Sequence, residues 1–246
     1  MATTPLSQIP TLASLYNFGR PDASNCSSRQ PPVQKWNEKI GLIRTDITRM
    51  EVDAIVNAAN NPLLGGGGVD GAVHRAAGEE LLDECRSLAG CDTGSAKITK
   101  GYRLPASHVI HAVGPVYQAA KVENMHKKLL RSCYTKSLEL AIENGCKTIA
   151  FAAISTGVYG YPSGEAAEVV LEAVRRWLDQ DEERAAKLER IVFCSFMERD
   201  ETAYEDLAPL FFPPVTENAA EDTKERDSKK SSAAALPDVP GTEPKE

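Results

Sequence analysis

The chain has 246 residues, with 28 Lys+Arg against 35 Asp+Glu and a formal net charge of −7. That length suits one domain of ordinary size with tails, and 42% hydrophobic residues are enough for a full core. The acidic balance excludes a protein that grips nucleic acid by bulk electrostatics, because neutralising phosphates needs a basic face.

Residues 1–36 are rich in Pro, Ser and Gln and hold one helical patch over 11–16. They read as an N-terminal extension without the basic-then-apolar order of a secretory signal. Residues 37–213 carry the strong periodic signals. Short apolar runs rich in β-branched and aromatic residues predict strands over 40–44, 54–57, 108–113, 148–154 and 191–196, with a short extra strand over 96–99. Helical spacing appears over 69–77, 79–88, 123–144 and 163–178, the third ending at Asn144-Gly145 and the last opening with Ser163 as N-cap. Strand–helix alternation of this kind predicts a three-layer α/β/α sandwich around a central mixed, largely parallel sheet. Residues 214–246 hold 13 charges and no aromatic residue, which predicts a disordered tail. No apolar run reaches the roughly 18–20 residues that span a bilayer.

The six cysteines are Cys26, Cys85, Cys91, Cys133, Cys146 and Cys194, and none forms a CxxC pair. They read as reduced, mostly buried thiols of a cytoplasmic or nuclear protein, with a mitochondrial destination left open. His74, His108, His111 and His126 show no HExxH pattern. No metal and no cofactor are expected, and His108 and His111, within one strand, read as structural.

In an α/β sandwich, ligands bind beyond the carboxyl ends of strands, where loops meet helix N-termini. Two loops stand out. The first is Asn57-Ala-Ala-Asn60-Asn-Pro-Leu-Leu-Gly65-Gly-Gly-Gly68-Val-Asp70-Gly71. Four consecutive glycines are costly in chain entropy and make sense where backbone N–H groups must approach a ligand. With a helix starting near Val69, this reads as a pyrophosphate cradle. It is not a dinucleotide fingerprint, since Gly90 occupies the place where an acidic strand-end residue belongs, and the absent GK[ST] excludes a P-loop. The second loop, Ser155-Thr-Gly157-Val-Tyr159-Gly-Tyr161-Pro162, pairs small hydroxyls and glycines with two tyrosines able to stack on a sugar or base. Asp70 stands beside this cradle, where a negative charge needs a reason. It either caps the helix or positions a water for attack.

Taken together, Thr45-Asp-Ile-Thr48, Asp53-Ala-Ile-Val-Asn-Ala-Ala-Asn60, Leu64-Gly-Gly-Gly-Gly-Val-Asp-Gly71, Ile110-His-Ala-Val-Gly-Pro115 and the Ser155–Pro162 loop resemble the macro domain, and within it the MacroD-type mono-ADP-ribosyl hydrolases. The match runs from about Gly41 to Leu207. The resemblance implies that Asp46 accepts a hydrogen bond from the adenine amino group, with Ile47 beside it. It places Asn57 in the binding loop and Asn60 and Tyr161 at the distal ribose. Gly65, Gly66, Gly67, Gly68 and Val69 face the pyrophosphate from one side, and Ser155, Thr156, Gly157, Val158 and Tyr159 from the other. Phe196 stacks on adenine. Asp70, Asn60 and His74 form the catalytic group. Thr45 departs from the family, which usually has Gly there.

The resemblance implies a monomer that binds ADP-ribose and mono-ADP-ribosylated proteins, without membrane or bulk nucleic-acid binding. Its implied reaction is metal-independent hydrolysis of ADP-ribosyl esters of Asp and Glu and deacetylation of O-acetyl-ADP-ribose. A non-catalytic ADP-ribose reader and an ADP-ribose 1″-phosphate phosphatase remain the alternatives.

Overall fold

The computed structural model describes residues 2–23 and 27–215. Cys26 and all of the expected tail beyond Val215 lie outside the described residues. In chain order the elements are β1 (Thr4–Pro5), α1 (Leu12–Asn17), α2 (Gln34–Lys39), β2 (Ile40–Arg44), β3 (Met50–Glu51), β4 (Ala54–Ala59), α3 (Gly68–Ala77), α4 (Glu79–Ser87), β5 (Ser95–Lys100), β6 (His108–Val113), α5 (Tyr117–Val122), α6 (His126–Glu143), β7 (Thr148–Ala152), α7 (Ser163–Gln180), α8 (Glu182–Ala186), β8 (Arg190–Ser195) and α9 (Glu198–Phe211).

Six strands form one sheet in the order β2-β8-β7-β4-β6-β5, and β1 pairs with β3 in a separate two-stranded sheet. Every neighbour pair in the large sheet is parallel except β5 with β6. The inner strands are buried on both faces, so they read as nearly continuous apolar runs. Their side chains nevertheless alternate between two cores. Ala54, Val56, Ile149, Phe151, Ile191 and Phe193 join a cluster with α6, α7 and α9. Ile55, Ala150 and Val192 join a second cluster with Val73 of α3 and Leu81 of α4. Two helical layers therefore cover one sheet, as the strand–helix alternation predicts. Aromatic stacking reinforces the first core, with Tyr134 on Phe151 and Tyr204 on Phe193, ring centroids 4.7 and 4.8 Å apart.

Some local expectations are corrected. The helix expected over 123–144 begins only at His126, because Asn124 takes a left-handed φ of 55° that separates α5 from α6. Pro162, not Ser163, occupies the cap position of α7, and Ser163 Oγ donates to Asp200 instead of capping. The N-terminal segment packs into the fold: Ile9, Leu12 and Trp36 are buried, and Thr11 caps α1 by accepting from Ser14 N at 3.0 Å. A buried arginine fastens it there. Arg175 of α7 donates to Pro31 O at 3.0 Å, to Phe211 O at 2.6 Å and to Asp179 at 2.8 Å. Tyr16 Oη and Asn37 Nδ2 add bonds to the carbonyls of Phe212 and Pro213. Among the described residues no helix is long and apolar enough to cross a membrane.

Strand β4 has β7 on one side and β6 on the other, so the chain's path across the sheet reverses there. That is the switch point beyond whose strand ends open α/β sheets bind ligands.

Candidate active site

Both glycine-rich loops leave the sheet at this point, one after β4 and one after β7. In the first, Gly65 and Gly68 adopt φ of 80° and 59°, a region a side chain rarely tolerates. Helix α3 then starts at Gly68 with its N-terminus at the loop. A Cβ on Gly71 would collide with Gly66 O, so only glycine lets the first turn of α3 close onto the loop.

Asp70 lies inside that turn. It is 4% exposed and makes no capping bond, which removes the helix-cap reading. Its Oδ1 accepts from Asn57 Nδ2 at 2.7 Å and lies 3.6 Å from His74 Nε2. Its Oδ2 has no hydrogen-bond partner. Asn60 Nδ2 donates to Gly65 O at 2.9 Å, while Asn60 Oδ1 is also unpartnered. A Cβ on Gly66 would stand 3.2 Å from both Asn60 Nδ2 and Asp70 Oδ2, so the two side chains converge against this glycine. Burial pushes the Asp70 carboxyl above the usual carboxylate range, opposed by the Asn57 hydrogen bond and the nearby His74.

The second loop is held from outside. Ser155 sits at a left-handed φ of 68°, a conformation costing a non-glycine residue on the order of 1–3 kcal/mol. Its Oγ is buried and unpartnered. Tyr161 N donates to Ser155 O at 2.9 Å, and Tyr117 N donates to Tyr159 O at 2.9 Å. The first turn of α9 completes the support: Asp200 accepts from Thr156 Oγ1 at 3.2 Å and Ser163 Oγ at 2.6 Å, and Arg199 donates to Thr156 O at 3.0 Å.

Between the loops lies a cleft of about 730 Å³, within the range of small-molecule sites. Of the residues expected at the site, Asp46, Ile47, Asn60, Gly66, Gly67, Gly68, Val69, Asp70, Ser155, Thr156, Gly157, Val158, Tyr159 and Phe196 line it. Asn57 and His74 stand behind the lining, Asn57 bonded to Asp70 and His74 Nε2 3.6 Å from it without a hydrogen-bond partner, and Gly65 stands behind it as the acceptor of Asn60. Tyr161 does not reach the cleft. It is 2% exposed and packs against Tyr117 and His126, ring centroids 4.7 and 6.0 Å away. At the far end Asp46 Oδ1 accepts from Thr48 N at 3.0 Å and Thr48 Oγ1 at 2.7 Å, capping a 3₁₀ turn. Phe196, just past β8, is 74% exposed.

Sequence reading missed Arg75, Gly114, Arg199 and Asp200, which also line the cleft. Arg75 follows His74 directly on α3, but Asp200 reaches the loop across 44 positions of sequence, a pairing with no local signal.

Sequence spacing gave no metal signature, yet His74, Cys85 and His111 bring donor atoms within 4.8 Å of one another from α3, α4 and β6. His111 Nε2 is engaged with Thr99 Oγ1 at 3.0 Å, so these three do not present a free donor set. Burial, helped by the charges of Glu84 and Asp70, pushes the Cys85 thiol up to about 11, so the unligated sulfur is a neutral thiol.

The cleft thus offers a carboxylate oxygen free of partners between two backbone-lined loops, one at a helix N-terminus. That arrangement can cradle linked phosphates and orient a water.

The macro domain family model matches residues 56–170. The chain is similar to an ADP-ribose glycohydrolase of the MACROD1 type from Rattus norvegicus, 57% identical over 180 residues, 73% of this chain and 68% of that one. It is also similar to an ADP-ribose glycohydrolase of the MACROD2 type from Xenopus laevis, 50% identical over 211 residues, 85% of this chain and 49% of that one. Among solved structures, a Trypanosoma brucei macrodomain in complex with ADP-ribose superposes with a TM-score of 0.69 at 38% identity, covering 84% of this chain and 77% of that one.

Proposed function

This chain belongs to the macro domain family, in its MacroD-type branch, and from that premise we propose that it is an ADP-ribose-binding hydrolase. Its substrates are mono-ADP-ribose esters of Asp and Glu side chains and O-acetyl-ADP-ribose.

The observation that carries this reading is Asp70 Oδ2, a buried carboxylate oxygen at the cleft that nothing in the protein satisfies. Such an atom is costly unless it has work to do. Asp70 Oδ2 takes the proton of a water, or orients it, for attack on the ribose–acyl bond. Asn60 Oδ1, equally unpartnered, accepts from a distal ribose hydroxyl. The pyrophosphate lies between Gly66–Val69 and Ser155–Tyr159, facing the N-terminus of α3, and its charge is met by backbone N–H groups and by Arg75 or Arg199 at the rim. Asp46 Oδ2 receives the adenine amino group while Oδ1 remains on Thr48, and exposed Phe196 supplies a stacking face. An oxyanion-stabilising backbone close to a water-orienting carboxylate suits ester hydrolysis without a covalent intermediate.

The five described free cysteines are all buried, which supports a reducing compartment, cytoplasmic or nuclear.

The test is incubation with a protein carrying Glu-linked mono-ADP-ribose. Release of free ADP-ribose is expected. Binding of ADP-ribose with no release would instead make the chain a reader.

A further inference from the structure

Behind the cleft runs a buried line of polar side chains that the hydrolase reading does not use. Asn57 Nδ2 is 2.7 Å from Asp70 Oδ1 and 3.3 Å from His111 Nδ1. On the other side of the imidazole, His111 Nε2 is 3.0 Å from Thr99 Oγ1 and 3.6 Å from Cys85 Sγ. Thr99 Oγ1 in turn donates to Val109 O at 3.4 Å. Asn57 and His111 are both fully buried, and Thr99 is 2% exposed.

The roles of these atoms follow by elimination. An ionised Asp70 accepts only, so the Asn57 atom 2.7 Å from it must be the amide nitrogen. That nitrogen carries a second hydrogen, and the atom facing it is His111 Nδ1. Nδ1 must therefore be bare, which places the ring proton on Nε2, toward Thr99 Oγ1, whose own hydrogen goes to the Val109 carbonyl. A protonated Nδ1 would set donor against donor and turn the Asn57 amide, bringing Asn57 Oδ1 against the carboxylate. Burial keeps His111 neutral, at about 3, with the nearby His74 adding in the same direction.

We propose that His111 is a positioning residue of this site: its bare Nδ1 accepts one amide hydrogen of Asn57, which commits the other to Asp70 Oδ1 and leaves Asp70 Oδ2 facing the cleft. The proposal rests on the hydrolase reading and adds a residue that touches neither the cleft nor any substrate. It also accounts for a His, rather than an aliphatic residue, inside a strand buried on both faces.

The titratable groups around Asp70 are His74 on its own helix, Cys85 on α4 and His111 on β6. Of these, only His111 reaches the carboxylate through Asn57. Losing its acceptor weakens the hydrogen bond that favours ionised Asp70, so the acid limb of the rate profile must move to higher pH.

The test compares His111→Leu, which keeps the bulk and removes the acceptor, with His111→Asn, whose side-chain oxygen stands near the place of Nδ1. On Glu-linked substrate, His111→Leu is expected to lower kcat by about 10–100-fold, move the acid limb upward and change ADP-ribose affinity by less than about threefold. His111→Asn is expected to recover most of kcat and the original limb. Two folded, ADP-ribose-binding variants with equal losses, or an unmoved limb in His111→Leu, would overturn the proposal. Should His111→Leu fail to fold, the wild-type protein decides through its histidine nitrogen NMR spectrum, where His111 must appear with the proton on Nε2. A proton on Nδ1 overturns the assignment. A wild-type chain that binds ADP-ribose and releases none fails the hydrolase reading itself, whatever the tautomer shows.

Discussion

Gly114 and Ser155 close the floor of the cleft by direct approach: a Cβ on Gly114 would overlap Ser155 Oγ and stand 2.5 Å from Ile154 Cγ2. Gly114 follows β6, and Ser155 lies in the loop after β7. The left-handed backbone of Ser155 therefore has a neighbour that only glycine can provide.

Gly114→Ala should displace that loop. Overpacking of this kind costs typically 1–3 kcal/mol, so the melting temperature should fall by several degrees. ADP-ribose affinity should fall as well, because the displaced backbone lines the cleft where the proposed function places the pyrophosphate. Thermal melts and calorimetry check both; an unchanged affinity would remove the loop from the phosphate site.

Asp46→Ala should weaken ADP-ribose binding by roughly 1.5–3 kcal/mol, the value of a hydrogen bond to a charged group. The same change removes the acceptor of Thr48 N and Thr48 Oγ1, so a modest loss of stability should accompany it. Ribose 5-phosphate lacks adenine and should bind both proteins alike. Calorimetry with the two ligands separates the adenine contact from local unfolding.

Asp70→Ala should lower turnover of the Glu-linked ester by about 10²–10⁴-fold, the range of general-base assistance. ADP-ribose affinity should hold or rise, since a negative charge near the pyrophosphate is gone. Rate and affinity then move independently, as for a group acting in the transition state. Chelator should leave wild-type turnover intact. Serine-linked ADP-ribose should be a poor substrate because its alkoxide leaving group is far worse than a carboxylate.

The raised ionisation of Asp70 predicts a stability effect with a definite sign. Its folded-state value lies above the ordinary 3.8, so the native state holds its proton more tightly than the unfolded chain does. Stability is lost as pH rises from the ordinary value through the raised one, and stays lost above it. Asp70→Asn mimics the neutral form. It should melt higher than wild type at pH 7, and the gain should shrink as pH approaches 4. Melts across that range check the sign. A gain that grows on acidification would mean that the carboxylate stabilises the fold.

The parts of this structure written in local pattern were legible in the sequence. The short apolar strands and the two glycine-rich loops needed only near neighbours to be read. What escaped depends on distant partners. Helix α9 contains Pro209 and falls outside the expected elements; it packs against α7, β2 and β8. Tyr161 looked available because it stands in a loop before a proline, yet Tyr117 and His126 bury it. His111 was read as structural from its strand, and nothing within a few residues reveals that Asn57, 54 positions away, is its neighbour.

Helix α9 behaves as a beam with two fixed ends. Arg175 and the N-terminal segment fasten its far end through the carbonyls of Phe211, Phe212 and Pro213. Its near end carries Asp200 and Arg199, which brace the loop around Thr156. A chain begun at residue 37 would keep both loops and all the residues that line the cleft, yet lose the Tyr16 bond to Phe212 O and the Pro31 carbonyl that holds Arg175, leaving Arg175 and Asn37 to fasten that end. Trimming there would loosen the far end of α9 and, through Asp200 and Arg199, the loop around Thr156, without a substitution in the cleft itself.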